Sequence, residues 1–353
     1  MLYCKTLCFS ILTLILLASV PSCKKKNNAR FISDTDTTYS ADIRSISKKI
    51  NESPENAELY YRRSNAFFQE DNFKQALLDI DFAIHLDSVN PLYYFYKGNY
   101  MMAGDTANAL EAEKQYSRAL SLVPSTNDGK NLKIDIQFEL AKLLLAKQKY
   151  NESKAMYMSI NKVDPSNPAP YFFLGMIAKE QGDTTTAIQL FERTLVYDDK
   201  HYNAIMQLGN IYAEWKDKRA LELFDKALKI NAYSDEAQYA KGLYLQRENK
   251  FKDAVILYES VARLNPAHIL CRYNLGYIHG LFGDYNKAIT YLDQAIDLSP
   301  EYADAYTLRG AMKEKTNNNT GAYNDYKMAL QLDPKQRLAE DGLKRINITI
   351  SMP

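Results

Sequence analysis

Cysteine is scarce in this chain of 353 residues, which contains four. Cys4, Cys8 and Cys23 fall near the N-terminus, and Cys271 stands alone in the rest of the chain. If Cys23 is spent as well as the two cysteines of the N-terminal apolar segment, the folded part keeps one thiol, which cannot form an internal disulfide, and nothing near Cys271 has the spacing of metal ligands. The sequence therefore predicts that Cys271 is a small packed or half-exposed residue without a catalytic role, and that the chain needs no metal or cofactor.

An excess of positive charge is also absent, with 44 Lys and Arg against 43 Asp and Glu. This balance provides no basic field of the kind that nucleic-acid-binding proteins carry, so no nucleic-acid partner is expected. The sequence has no phosphate-binding loop, His-Glu-x-x-His pair, nucleophile elbow or Cys-x-x-Cys pair. Its four histidines fall at different places in different parts of the chain, a pattern typical of structural residues. We therefore expect no enzymatic activity.

The first 22 residues have the layout of an export signal. Lys5 precedes an apolar run from Leu7 to Leu17, and the small residues Ala18 and Ser19 follow it. The apolar run is shorter than the ~20 residues that a membrane-spanning helix needs. After this segment, residues 23–39 are rich in Lys, Asn, Ser, Thr and Asp, which predicts a flexible tether.

The residues around Cys23 resemble a bacterial lipobox. Val20 and Ser22 fit its pattern, whereas Pro21 departs from it. The resemblance implies that residues 1–22 are a lipoprotein signal peptide and that Cys23 is lipidated and becomes the new N-terminus. Two alternatives are an ordinary secretory cut near Val20 and an uncleaved anchor, which the lysines at 24–26 would favour.

A repeat of about 34 residues occupies the remainder of the chain. A small residue is followed twelve positions later by Ala or Ser in six pairs: Ser64/Ala76, Ala141/Ser153, Gly175/Ala187, Gly242/Ala254, Gly276/Ala288 and Gly310/Ala322. The pairs Gly98/Ala112 and Gly209/Ala220 differ by a short loop change. Four residues beyond each Ala or Ser stands a large residue: Ile80, Tyr116, Tyr157, Phe191, Phe224, Tyr258, Leu292 and Tyr326. Prolines close many repeats, at Pro124, Pro165, Pro266, Pro300 and Pro334.

This pattern resembles the tetratricopeptide repeat. The resemblance implies an all-α fold, a right-handed superhelical solenoid of about eight helix-turn-helix repeats over residues 57–336. A leading helix is expected within residues 40–56, and a capping helix and tail over residues 337–353. The small residues would let the two helices of a repeat approach closely, and the large residue would plug the gap to the next repeat. In the capping helix, Leu338, Leu343 and Ile346 are expected to point inward.

The first helix of each repeat is expected to carry two stripes, counted from its small residue. Positions −4, −1 and +3 are predicted core, as in Tyr94, Leu140, Leu174, Leu208, Tyr212 and Leu275. Positions −3, +1 and +4 lie roughly 115° away, and in this family they line a concave groove. We call positions −3 and +1 the groove stripe. Its predicted binding residues are Tyr61, Asn65, Phe95, Asn99, Phe138, Lys142, Phe172, Met206, Asn210, Tyr239, Tyr273 and Tyr277, and it also includes Met176, Leu243, Thr307 and Ala311.

Aromatic rings supply contact area and Asn pairs with backbone amides, so the groove stripe suits an extended peptide or helix. The alternative is that the rings merely extend the core. We expect a non-enzymatic interaction scaffold of unknown oligomeric state. A resemblance to Bacteroides-type repeat lipoproteins implies an outer-membrane anchor and a periplasm-facing domain. Two other functions stay open: an accessory subunit or chaperone of an outer-membrane machine, and a binder of glycans or small ligands.

Overall fold

The computed structural model describes residues 37–104, 108–124, 126 and 129–351. The predicted signal peptide, the lipidated Cys23 and most of the predicted tether lie outside the described residues. The described residues fall into two compact units, whose boundary lies between Ile136 and Gln137. Each unit is a stack of helices joined by short turns.

Eighteen α-helices, and no strands, account for the secondary structure of the described residues. They are α1 Ala41–Glu52, α2 Ala57–Gln69, α3 Phe73–Leu86, α4 Pro91–Gly104, α5 Ala109–Leu122, α6 Lys130–Ala146, α7 Tyr150–Val163, α8 Pro168–Glu180, α9 Thr184–Tyr197, α10 Tyr202–Glu214, α11 Arg219–Ile230, α12 Asp235–Arg247, α13 Phe251–Leu264, α14 Ile269–Leu281, α15 Tyr285–Leu298, α16 Ala303–Lys315, α17 Asn319–Leu332 and α18 Arg337–Ser351. The all-α prediction is confirmed. Repeats one to eight are the pairs from α2–α3 to α16–α17, in chain order.

Close approach of the two helices within a repeat explains the small residues. A Cβ atom added to Gly175 would lie 2.7 Å from the Phe191 ring, a distance that a real side chain cannot adopt. The same relation links Gly98 with Tyr116, Gly209 with Phe224, Gly242 with Tyr258, Gly276 with Leu292, and Gly310 with Tyr326. The large residue thus fills space over its own repeat's glycine, whereas the sequence placed it towards the next repeat. Tyr326 does both, because its ring also packs against Gly342 of α18.

The turns and helix ends follow from local residue chemistry. Each of the five prolines predicted to close a repeat stands two residues beyond the end of a second helix. Inside seven of the repeats, the turn between the helices contains one residue in the left-handed region. These residues are Asp71, Gln148, Gly182, Lys216, Asn249, Gly283 and Asn317, with φ between 55° and 80°. Only two of them are glycine, the residue that adopts this conformation without steric cost.

A buried ion pair replaces an apolar contact in repeat one. Arg63 stands at position −1, where four other repeats have leucine, and its side chain is 4% exposed. Its Nε and Nη2 donate to the two carboxylate oxygens of Asp79 at 2.6 and 2.8 Å, and Nη1 donates to Ser47 of α1 at 3.1 Å. The guanidinium therefore has charge compensation and directed hydrogen bonds, which a buried charge needs.

Repeat eight has the same Arg–Asp pair at the same two positions. Arg309 donates to both carboxylate oxygens of Asp325 at 2.6 and 2.9 Å, and its Nη1 donates to Asp293 of repeat seven at 2.6 Å. Lys313 adds a second cation beside Asp325, at 2.9 Å. The network thus joins both helices of repeat eight to the repeat before it.

Three predictions about packing need correction or refinement. Leu338, predicted to point inward, is 73% exposed, and Ala339 takes the buried place beside Ile346, while Leu343 is half-buried. Tyr94, predicted to be core, is half-buried because its hydroxyl reaches out to donate to the Ser88 carbonyl at 3.0 Å. The other core examples are buried as predicted: Leu140, Leu174, Leu208, Tyr212 and Leu275.

Candidate functional site

The −3 positions of the groove stripe are more deeply packed than predicted. Phe95 and Phe172 are each 9% exposed and Met206 is 1% exposed, so these three belong to the core. Four others are half-buried: Tyr61, Phe138, Tyr239 and Tyr273. The prediction of a solvent-facing stripe is therefore wrong for Phe95, Phe172 and Met206, where the alternative of an extended core holds.

Two aromatic contacts each account for the burial of Tyr239 and Phe172. Tyr239 packs on Tyr258, the large residue of its own repeat, with ring centroids 5.6 Å apart. On its other side it packs on His268, at the start of the next repeat, at 4.5 Å. Phe172 lies in the same way between Phe191 and His201, at 5.8 and 4.8 Å. These contacts therefore help to hold repeat four to repeat five and repeat six to repeat seven.

Sequence reasoning missed the residue that completes this packing. His201, His268 and Tyr302 all stand eight positions before the small residue of their repeats, so the two histidines do share a place. Each histidine is the N-cap of its helix, and its Nδ1 accepts the backbone N–H of Ala204 or Cys271 at 3.2 Å. An aromatic residue at position −8 was the signal available in the sequence.

Two predicted asparagines in the first compact unit are engaged internally. Asn65 accepts a hydrogen bond from the Tyr100 hydroxyl at 2.7 Å, and Asn99 accepts one from the Tyr116 hydroxyl at 2.8 Å. In the second unit, Lys142 pairs with Glu139 at 2.8 Å. These contacts use the amide oxygens of both asparagines, so a ligand would meet mainly their N–H groups.

One open cavity of about 320 Å³ lies on the groove stripe of repeats five and six. The stripe contributes Asn210, Tyr239 and Leu243, and none of these three is fully buried. The remaining lining residues are Lys179, Ala213, Glu214, Phe224, Glu236, Ala240, Tyr244 and Arg247. The cavity therefore combines an aromatic wall, an amide and charges of both signs.

A second cavity, of about 240 Å³, lies on the groove stripe of repeats seven and eight. Tyr273, Tyr277, Thr307 and Ala311 come from the stripe, and Tyr277 is 37% exposed. The other lining residues are Asp304, Leu308, Tyr326, Gln336, Leu338 and Arg345. The stripe thus lines two openings within the second compact unit.

Two tyrosines that line these cavities have raised pKa values. Burial, followed by the charge of Asp304, raises the pKa of Tyr273, so its phenol stays protonated. Burial also raises the pKa of Tyr239, although Asn274 donates a hydrogen bond to its hydroxyl at 3.3 Å. Neutral phenols of this kind can pack against a ligand and exchange hydrogen bonds with it.

Cys271 is packed rather than half-exposed. Its side chain is fully buried, its Sγ donates to the Tyr258 carbonyl at 2.9 Å, and burial raises the pKa of the thiol to about 12. A thiol in this state is a poor nucleophile, because the thiolate is the reactive form. Across the part of the chain that the structure describes, no group of three His, Cys, Asp or Glu side chains is placed to hold a metal ion.

Comparison with known families decides the nature of the repeats. Two models, both described as tetratricopeptide repeat, match residues 171–201 and 271–302. The chain contains tetratricopeptide repeats. The two matches begin in α8 and in α14, the first helices of repeats four and seven. Tetratricopeptide repeats form scaffolds for protein–protein interaction and are typically non-catalytic.

Individual relatives share the repeats over part of their length. The BBSome complex member bbs-4 of Caenorhabditis elegans is 25% identical over 179 residues, which cover 50% of this chain and 39% of that protein. The chain spans between 26% and 51% of the length of five curated relatives that it matches.

Solved bacterial structures have the same fold. A tetratricopeptide repeat protein from Parabacteroides merdae is 18% identical, with a TM-score of 0.51, over 72% of this chain and 98% of that one. PilF of Pseudomonas aeruginosa is 16% identical, with a TM-score of 0.54, over 62% and 99% of the two chains. At such identities the likeness shows the fold alone. No helix in the described ranges combines the length and apolar character that crossing a bilayer requires.

Proposed function

We propose that this chain binds an extended peptide or a helix of a protein partner along the groove stripe of its second compact unit. The observation that carries the proposal is the position of the two cavities, which both open on that stripe. Elsewhere along the stripe, rings such as Phe172 are covered by neighbouring repeats. The partner would therefore be held at the cavities of repeats five to eight rather than along every repeat.

The chemistry of the two cavities suits a peptide better than a compact apolar ligand. Tyr239 and Tyr277 offer rings with polar ends, a combination that is enriched at interfaces. Asn210 offers both a donor and an acceptor, so it can pair with a peptide group of a ligand. Leu243 lies between Tyr239 and Tyr277 in the sequence, and it adds apolar area on the same helix as Tyr239. A ligand that crosses these positions would satisfy both kinds of surface.

A site-specific photocrosslinker tests the groove stripe in native membranes. Placed at Tyr277, it should capture one abundant protein, whereas the same group at Ile256 should not. Ile256 is a matched control because it is apolar, 65% exposed and outside the stripe. This design leaves Tyr239 in place, so the packing of its ring is kept. Capture from Ile256 alone would contradict the groove and favour docking through another face.

A double substitution gives the second test of the same proposal. Tyr277→Ala with Leu243→Ala should reduce recovery of the captured partner roughly tenfold or more, since buried anchors at an interface dominate affinity. Val196→Ala with Ile256→Ala is the control, because both side chains are exposed outside the two cavities. Unchanged recovery with the stripe variant would refute the proposal, and saturable glycan binding by the chain would support a glycan-binding function instead.

We further propose that Cys23 is lipidated and that the chain is anchored in the outer membrane, facing the periplasm. The support is the order of Lys5, the apolar run and Cys23, followed by lysines. Multiple acyl chains hold a protein at a bilayer far more firmly than one chain does. Mass measurement of the mature N-terminus should find an acylated Cys23, and an unacylated product beginning at Pro21 would contradict lipidation. Fractionation of the two membranes tests the location separately.

A further inference from the structure

The cavity of repeats seven and eight has a composition unlike that of the other cavity on the groove stripe. Three tyrosines line it: Tyr273 and Tyr277 from α14 and Tyr326 from α17. Asp304, at the start of α16, supplies an exposed carboxylate at the same opening. A cation is attracted both to the faces of aromatic rings and to a carboxylate.

The arginine of this cavity is paired with a carboxylate other than that of Asp304. Arg345 also lines the cavity, but its Nε and Nη2 donate to the Glu314 carboxylate at 3.1 and 3.0 Å. The Tyr326 hydroxyl donates to the same carboxylate at 2.9 Å. Asp304, in contrast, accepts a hydrogen bond from the neutral amide of Gln336. The Arg345 guanidinium is thus already paired with a carboxylate, whereas the Asp304 carboxylate lines the opening and is hydrogen-bonded to a neutral amide.

The size and rim of the cavity indicate a side chain rather than a whole small molecule. Its volume of about 240 Å³ falls below the roughly 300 Å³ at which pockets for small ligands begin. Leu338 is 73% exposed at its edge and offers an apolar surface beside the opening. An aliphatic stem could lie along this leucine while its charged end reaches Asp304.

We propose that this cavity receives an arginine side chain of the bound peptide. The inference rests on the proposed function, because it names the residue that would anchor such a peptide. Arginine fits better than lysine, since its planar guanidinium stacks on aromatic rings and is less strongly hydrated. Tyr273 and Tyr277 supply the rings, Asp304 supplies the charge, and Leu338 contacts the stem.

A random peptide library displayed on phage tests this preference while the partner itself is still unidentified. The full chain, purified in detergent, should enrich peptides that share arginine at one fixed position. The variant Asp304→Asn should lose that arginine preference while it still enriches peptides. Asp297→Asn, which alters an exposed acidic residue of α15 outside the cavity, should keep it.

A binding cycle then isolates the contact between arginine and Asp304. The best peptide and a copy with citrulline in place of arginine, which keeps the shape but loses the charge, are measured by fluorescence anisotropy. Citrulline should weaken binding to the native chain roughly tenfold, as expected for a hydrogen bond to a charged group. For Asp304→Asn the same exchange should change affinity less than about twofold.

The outcomes separate the two proposals. Enriched peptides without a shared arginine, or an equal effect of citrulline on the native chain and on Asp304→Asn, would overturn the arginine pocket and leave groove binding standing. No enrichment by the native chain would count against the proposed function and the arginine pocket together. A shared arginine whose effect depends on Asp304 supports both.

Discussion

Replacing Asp79 with leucine should destabilise the first compact unit by about 3–5 kcal/mol. The substitution leaves the guanidinium of Arg63, which is 4% exposed, without its carboxylate partner. The remaining hydrogen bond to Ser47 does not compensate a full charge in the interior. Denaturant unfolding of the full chain, combined with hydrogen exchange of α1 to α3, measures the loss, because repeat arrays open in parts rather than as a whole.

The chain itself suggests the compensating change. Repeats four and five carry leucine at both positions, as Leu174 with Leu190 and Leu208 with Leu223. Asp79→Leu combined with Arg63→Leu should therefore restore the stability of the native chain to within about 1 kcal/mol, or exceed it. The Ser47 hydroxyl would keep a partner in that variant, because in the native chain it donates to the Ile43 carbonyl at 2.7 Å. A double variant as unstable as Asp79→Leu would contradict the charge explanation.

Asp81 provides the matched control for Asp79. It pairs with Lys97 at 2.8 Å, but its side chain is 53% exposed. Solvent screens such a pair, so Asp81→Leu should cost less than about 1 kcal/mol. The contrast between two aspartates on one helix isolates the effect of burial from that of pairing.

Truncation of Phe191 to alanine should cost about 3–5 kcal/mol, the upper range for core deletions. The ring is fully buried and lies against Gly175, which has no side chain that could move into the space. The cavity should therefore persist between α8 and α9. Hydrogen exchange of these two helices should accelerate more than exchange in α16 and α17, which the substitution does not touch.

Two further variants decide whether the glycine is the cause. Gly175→Leu alone should also destabilise, because even its Cβ would lie 2.7 Å from the ring. Combined with Phe191→Ala, the new leucine can occupy the vacated space, so the double variant should be more stable than either single one. Val196→Ala, at a 67% exposed site on α9, should change stability by less than about 0.5 kcal/mol. Simple additivity of the two core changes would contradict a shared space.

The fold could be predicted because one packing contact recurs along the chain. The spacing from Gly175 to Ala187 to Phe191 reflects a real helix–helix contact, and other repeats place the same contact at the same spacing. Each occurrence is weak alone, since a small residue and an aromatic are common anywhere. Their agreement in register is what carries the prediction, because the contact is local and does not depend on distant parts of the chain.

The candidate site was harder to predict, for a physical reason. The first helices are covered by their own second helix and by neighbouring repeats, so their apolar residues extend around more than one face. Periodicity therefore cannot tell that Met206 is buried while Tyr277 is exposed. Nor can it tell that Leu338 turns outward, because Leu338 and Ala339 are adjacent apolar residues and either could begin the inward face of α18.

The left-handed turn residues leave the array short of its attainable stability. Five of the seven are not glycine, among them Gln148 and Lys216. An L-residue in that conformation costs roughly 1–2 kcal/mol. Replacement by glycine removes this cost, but part of the gain in stability is lost because glycine has greater freedom in the unfolded chain. Replacing these residues with glycine would therefore raise the stability of the array without any new side-chain contact. The repeats could be stabilised one turn at a time, without altering the groove stripe, where we propose that a partner binds.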